Sequence, residues 1–576
     1  MPRRCCSILP PPAAVSLNIS GRGPNNINVA NDIAVRTEDI PARAQTWLQT
    51  GGADQAAIIK SFTDGANEYA SRHKDTIDPS FQRVLPVVPA DVTAEIQNIV
   101  HFHFMPAQDN LPALIAAWQS GGLTAANAVA CSFTPGCSTG SAAASANARG
   151  SSNGWAIAPS RSATGNAILM GNPHLPWGNN TPIPPVEGLG LYQWIEVNLV
   201  IGDRQNPQLN ASGAALVGLP FIGIGYSDKI GWTHTNDTIQ TTNLYEVTLN
   251  SDGNSYDFGN ARLQLTSRSE VIKICQPDGS LDSQTINIRS SVHGPIVVQR
   301  TDTQNVTRVL AERVAGLDQP SMVEQYWDMM QANNLAEFIA ANSAPQMPFF
   351  NVIYADRDGH TLYVFGGRQP VRPDGSWGNY SGILDGSDPA LLWAQTFSWS
   401  DLPHAVDPDL VANSNNPPWT STFPQRISPD DFPAYFAPQF MELRAQHGAL
   451  FLLSKDKLTV SDVLAGKEST HMLLADRVLD DLITAALISG DAPQCRPRGS
   501  SKVGRRGAAV PTQRAAAPSC SRSGGPSSST ILQQIRPCRA ITRTISTGRI
   551  LCSRRPGRPT TRSPPPRSGQ CEIMGR

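Results

Sequence analysis

Three things are scarce in this chain of 576 residues, and each scarcity excludes a class of protein. No stretch stays apolar for the ~18 residues that a membrane-spanning helix requires, so a membrane partner is not expected. No pair of its ten cysteines has the spacing of a zinc site. Acidic residues nearly vanish near the end: residues 493–576 hold 17 of the 46 Lys and Arg but one of the 47 acids, Glu572. That leaves 29 basic and 46 acidic residues in 1–492, a net charge of −17 there against −1 overall. The acidic part argues against a nucleic-acid partner.

Cysteine is skewed in the same way. Cys5 and Cys6 open the chain, five lie beyond residue 493, and only Cys131, Cys137 and Cys275 remain between. Cys131 and Cys137 either close a small disulfide loop or stay as two thiols. The opening MPRRCCSILPPPAAVSL has basic residues but a short, proline-broken apolar run, which makes a poor signal peptide.

What is present divides the chain. Residues 1–25 are rich in Pro and Arg and read as a disordered or non-native start. From 26 to 133 the pattern is helical, over Glu38–Arg72 and again near Leu111–Trp118. Residues 134–151, small, polar and low in complexity, read as an exposed linker where proteolysis concentrates. From 152 to 492 short β-type runs such as SNGWAIA, YQWIEVNLVI and VIYADRDGHTLYVFGG alternate with turn residues. Helices are expected over Met322–Asn334, Leu335–Asn342, Arg444–Leu453 and Ser461–Leu487. This is an α+β composition. Residues 493–576 form a basic low-complexity tail. It reads either as a disordered arm or as the product of a lost reading frame, the second being favoured for the abruptness of the change.

Three candidates for chemistry stand out. Gly136-Cys137-Ser138-Thr139-Gly140 matches a nucleophile elbow, but that motif needs a strand before it and a helix after it. Here Pro135 precedes it and linker follows. His101 and His103 in VHFHF would share one face of a strand, yet no acid or cysteine is placed beside them, and core histidines are expected. Ser152 differs, because it stands where linker meets strand. A serine is a weak nucleophile without an adjacent base. If the bond before it is cut, its own α-amino group, with a pKa of roughly 7.7–8.0, becomes that base.

The residues after that point carry a resemblance. Ser152–Trp177, SNGWAIAPSRSATGNAILMGNPHLPW, resembles the start of the β-chain in the penicillin acylase family of N-terminal-nucleophile hydrolases, which includes cephalosporin and acyl-homoserine-lactone acylases. IGWTHTND (230–237), SSVHGPI (290–296), ERVAGLDQPSMVEQYWDM (312–329), FFNVIYADRDG (349–359) and VANSNNPPW (411–419) extend it over about 60–490. The resemblance implies an αββα sandwich of two antiparallel sheets flanked by helices, with a helical α-chain region, incomplete here at both ends. It also implies an α-chain and a β-chain cut from one precursor, periplasmic or secreted, with no cofactor and a small N-acyl amide as substrate.

Site residues follow from the same resemblance. The cleavage site is the bond between Ser151 and Ser152, and Ser152 matches the nucleophile through its S-N-x-W surroundings. His174 matches a residue that helps orient it. Asn415 and the backbone N–H of Asn236 match the two donors of the oxyanion hole, although the family usually has a small or β-branched apolar residue at 236. Arg444 matches a supporting arginine. Leu175, Phe221, Ile222 and Gly223 stand where the acyl group binds. Glycine at 223, where glutaryl-type cephalosporin acylases have arginine, points to an apolar acyl chain such as that of a homoserine lactone. The same four residues also suit a plain core. Gln240 and Asn243 stand near the calcium-binding acids of penicillin G acylases, so no metal is expected. The expected function is amide hydrolysis by a self-cleaved serine enzyme. The alternatives are an unprocessed, inactive product of a damaged acylase gene and a non-catalytic binding protein on the same scaffold.

Overall fold

The computed structural model describes residue 22 and residues 26–77, 79–105, 110–133, 151–175, 194–203 and 205–489. The expected segments 1–21, 134–150 and 490–576, with the Gly136–Gly140 motif, lie outside the described residues. Cys131 is disulfide-bonded, with its partner also outside them, and Cys275 is free.

The first part is helical: α1 (Ile27–Thr37), α2 (Ile40–Thr50), α3 (Ala53–Arg72), α4 (Pro89–Ile99) and α5 (Leu111–Phe133). Proline at the first position of α4 costs no hydrogen bond there, and Asp91 accepts the Val88 N–H one turn back. The expected helix near Leu111–Trp118 is followed by a second helical stretch, since Gly122, at φ 67° and ψ −159°, is non-helical and splits α5 at a kink. His101 and His103 are not on a strand. Residues Val100–Phe104 continue α4 as a π-helical turn, since the buried helix upstream propagates through the run. His101 packs edge-on against Trp47 with ring centroids 5.4 Å apart, and burial drives its pKa down to about 3. Among the described residues no group of acids, histidines and cysteines is arranged to hold a metal. None of their helices is long and apolar enough to cross a membrane.

The strands follow in order: β1 (Ser151–Ile157), β2 (Ile168–His174), β3 (Trp194–Asp203), β4 (Asn206–Leu216), β5 (Ile224–Tyr226), β6 (Ile230–Thr235) and β7 (Thr242–Thr248). Next come β8 (Ser255–Phe258), β9 (Ala261–Gln264), β10 (Thr266–Cys275), β11 (Leu281–Ser291), β12 (Gly294–Thr301) and β13 (Thr307–Val314). Helices α6 (Met322–Gln331) and α7 (Leu335–Asn342) separate these from β14 (Phe349–Asp356), β15 (Thr361–Gly367), β16 (Ile383–Asp385), β17 (His404–Val406), β18 (Leu410–Asn413) and β19 (Thr422–Phe423). Helices α8 (Leu443–Leu453) and α9 (Val460–Lys467) follow. A further helix, α10 (Leu473–Ser489), belongs to a second compact unit.

Two antiparallel sheets form the centre. The smaller has the order β19-β18-β1-β2 and the larger β17-β15-β14-β6-β5-β4-β3. Alternation along each strand sorts side chains into three layers. Ala156 and Val411 from the smaller sheet meet Ile353, Ala355, Tyr363 and Phe365 from the larger. On the outer face of the smaller sheet, Trp155, Ile157 and Leu410 pack on Leu452 of α8 and Val463 of α9. On the outer face of the larger one, Trp232, Val352, Tyr354 and Leu362 pack on Trp47, Ile59, Val92, Ile96 and Phe338 of the helices. The result is helix, sheet, sheet, helix, as the αββα expectation holds. A third sheet, β10-β11-β12-β13-β7-β16, packs against α1 and α5.

Candidate active site

Strand β1 is central, paired with β18 on one side and β2 on the other. Trp155 and Ile157 face outward and Ala156 inward, so Gly154 and Ser152 face the gap between the sheets. Glycine at 154 is required by that gap. A Cβ there would lie 2.5 Å from Ile353 Cδ1 and 3.3 Å from the methyl groups of Thr233 and Thr235. Ser152 itself is 6% exposed.

The loop after β18 supplies the partners. The Ser152 N–H donates to Asn415 Oδ1 at 2.9 Å. Asn415 has φ 67°, a left-handed conformation that asparagine tolerates better than most residues. Its Nδ2 donates to the Asn236 carbonyl at 2.8 Å, at the end of β6. An amide nitrogen carries two hydrogens, so one remains for another acceptor. Arg444, in the first turn of α8, ties these pieces together. One guanidinium nitrogen donates to Ser152 O and Asn153 Oδ1, both at 2.7 Å; the other donates to Ser414 O at 2.8 Å and Asn415 Oδ1 at 2.6 Å.

His174 lies beside the residue that precedes Ser152. It ends β2 directly opposite Ser151, and its Nδ1 lies 2.7 Å from Ser151 Oγ, on the outer face of the sheet. Ser151 is therefore a strand residue as well as the residue before the expected cut. Burial, Arg444 and Lys467 all lower the His174 pKa, which favours the neutral ring.

Of the four expected acyl-binding residues, Phe221 stacks on Tyr326 with centroids 4.2 Å apart, and Ile222 is buried in the same cluster. The Gly223 carbonyl accepts the Trp232 indole N–H at 3.0 Å. Leu175 stands half-buried just past the end of β2. Gln240 and Asn243 face a cation from the chain itself: the Arg372 guanidinium donates to Gln240 O at 2.5 Å and Asn243 Oδ1 at 2.8 Å.

The sequence reading missed what supports Asn415. Asn413, fully buried, accepts the Asn415 N–H at 2.9 Å and the Thr235 hydroxyl at 2.5 Å. It donates to Ser421 Oγ at 2.9 Å and Asn416 O at 3.0 Å. Asn351, equally buried, donates to Thr235 Oγ1 at 3.0 Å and accepts from Tyr363 OH at 2.6 Å. A single amide inside the apolar run FFNVIYA was the available signal, because a buried amide must find partners.

Comparison with known proteins adds the following. The family model described as penicillin amidase matches residues 19–515, wider at both ends than the stretch that carried the resemblance. An acyl-homoserine lactone acylase PvdQ of Pseudomonas fluorescens is 30% identical over 58% of this chain and 43% of its own length. The PvdQ of Pseudomonas putida is 26% identical over 79% of this chain and 59% of its own. The chain thus spans about half the length of the curated relatives it matches. A solved thermostable penicillin G acylase from Alcaligenes faecalis is 20% identical, with a TM-score of 0.42 over 55% of this chain and 51% of that one.

Proposed function

Since the chain belongs to the penicillin amidase family, we propose that it is an amide hydrolase of acylated substrates whose nucleophile is Ser152, freed when the chain cuts its own Ser151–Ser152 bond. The observation that carries this reading is the hold on the Ser152 nitrogen. Asn415 Oδ1 accepts its N–H, and Arg444 grips both Asn415 Oδ1 and the Ser152 carbonyl. The atom that becomes the α-amine is therefore already oriented.

In the self-cleavage, Ser152 Oγ attacks the Ser151 carbonyl carbon and loses its proton. The C–N bond breaks, the proton goes to the departing nitrogen, and an ester forms. Water then hydrolyses the ester, leaving a carboxylate on Ser151 and a free amine and hydroxyl on Ser152. In turnover that amine accepts the hydroxyl proton as Oγ attacks the substrate amide, then returns it to the leaving amine. Asn415 Nδ2, through its second hydrogen, and the Asn236 backbone N–H receive the developing oxyanion. One such donor is typically worth about 2.7–4 kcal/mol. Neutral His174 holds Ser151 in register before the cut.

For substrate we favour an N-acyl amide with an apolar chain, an acyl-homoserine lactone before a β-lactam side chain, because the two PvdQ relatives are named for the former. Intact-mass measurement on freshly made protein tests the first step. Two fragments, the second beginning at Ser152, are expected, and Ser152→Ala should stay whole. An uncut wild-type chain refutes self-cleavage and leaves the unprocessed or binding-protein reading. Release of homoserine lactone from substrates with short, medium and long chains tests the second step, with a penicillin as comparison.

A further inference from the structure

A second cavity, of about 690 Å³, opens away from Ser152 where α2, the start of β12, the end of β13 and the segment 393–396 meet. Its volume falls in the range of small-molecule sites, roughly 300–1,000 Å³. It shares no residue with the surroundings of Ser152 and stands independently of the reading given to them.

Its walls hold three arginines and three carboxylates, Glu38, Glu312 and Asp318. Arg43, Arg313 and Arg368 all line it. Among the described residues none of the three has a carboxylate within ion-pair distance, although eleven such pairs exist elsewhere. The guanidinium of Arg313 lies over the Trp393 ring, 4.5 Å from its centre, and donates to His293 O at 3.4 Å. The Arg368 guanidinium donates to Pro345 O at 3.4 Å. Among the described residues the Nε atoms of both have no hydrogen-bond partner.

The acids nearby relieve them in part: Asp318, exposed, acts on Arg313 and Arg368 without an ion pair to either. Glu38 and Glu312 are buried side by side; burial raises the pKa of both, and Glu312 raises that of Glu38 further. His293 lines the same wall. It is 1% exposed, and among the described residues its Nε2 has no hydrogen-bond partner. Ser291 Oγ accepts the His293 backbone N–H and lies 3.1 Å from its Nδ1. Assigned from that network, the hydroxyl proton goes to Nδ1 and the ring proton sits on Nε2.

We propose that this cavity binds a small organic or inorganic anion, through a carboxylate or phosphate group clasped between Arg313 and Arg368. Planar guanidinium groups match both anions with paired hydrogen bonds.

The test is calorimetric titration of the full chain with inorganic phosphate and, separately, with succinate, at one ionic strength. Saturable binding of at least one is expected, with Kd below about 10 mM, and the tighter of the two identifies the ligand chemistry. Arg313→Gln and Arg368→Gln should each weaken it at least tenfold, about 1.4 kcal/mol. Arg308→Gln, which removes an arginine already paired with Asp302, should leave it unchanged. No saturable binding of either probe overturns the proposal, and so does an equal loss in Arg308→Gln. Should the two variants fail to fold, phenylglyoxal labelling of the wild type decides. The probe should slow modification of Arg313 and Arg368 and not of Arg308, and equal rates with and without it overturn the proposal.

Discussion

At the scale of single residues, Arg444 has the sharpest consequence. Its fork reaches four acceptors on two separate pieces of chain, Ser152–Asn153 and Ser414–Asn415. Lysine has a point charge and no fork. Arg444→Lys should therefore slow both self-cleavage and turnover by roughly 10- to 100-fold, about 1.4–2.7 kcal/mol. A gel time course and kcat measured on the same preparation would show it, and wild-type rates in the variant would dismiss the bracing role. The motif ELRAQ identified this arginine, but its partners were hidden because they sit 29 or more residues away in the chain. Glu95 makes a different prediction. Burial in α4 raises its pKa from 4.5 to about 8. A folded-state pKa above the unfolded one means that the stability it confers is full below the unfolded value and is lost as pH rises through about 8. Glu95→Gln should then be more stable than wild type at pH ~8.5, by a few kcal/mol at most, and similar near pH ~4. Denaturant midpoints at the two pH values check this, and an equal difference at both would contradict it.

At the scale of elements, β1 shows what the sequence carried and what it concealed. The alternation Trp155, Ala156, Ile157 made its strand and its two faces legible. That Gly154 must be glycine was not, because the atom it avoids belongs to Ile353 on another sheet. Gly154→Ala should lower stability by about 1–3 kcal/mol through overpacking. Ile353→Ala in the same chain should recover part of the loss, since the two positions touch. Thermal unfolding of the single and double variants measures the coupling, and strict additivity would place the clash elsewhere. The run VHFHF misled for the opposite reason. Two apolar-polar alternations suit a strand in isolation, but a buried helix directly upstream had already set the period. Phe221 and Ile222 lie in an apolar segment whose role depends on which side of a sheet it reaches, and composition does not encode that.

At the scale of the whole molecule, the proposed cut divides one folding unit. A cut before Ser152 yields pieces of 151 and 425 residues, which sum to 576. Trp47, Ile59, Val92 and Ile96 from the first piece share a core with Trp232, Val352 and Tyr354 from the second. The Trp47 indole N–H also donates to Leu317 O at 2.9 Å. The two pieces should therefore elute as one species in native size exclusion and part only in denaturant. Separation under native conditions would show that the shared core is too weak to hold them. The division into a helical first part and a sheet-rich second part was readable from periodicity. The layering was not, because it rests on contacts between strands far apart in sequence.

The position of β1 bears on how such a cut would behave as an event. Chain ends are ordinarily where motion is greatest, because the last residue has a neighbour on one side only. A chain that begins at Ser152 begins opposite Pro173 on one flanking strand, with Gly154 opposite Asn413 on the other. Its first residue therefore inherits the stillness of a sheet interior. The conformational entropy that would otherwise oppose each attack is surrendered once, during folding, and not again in every catalytic cycle.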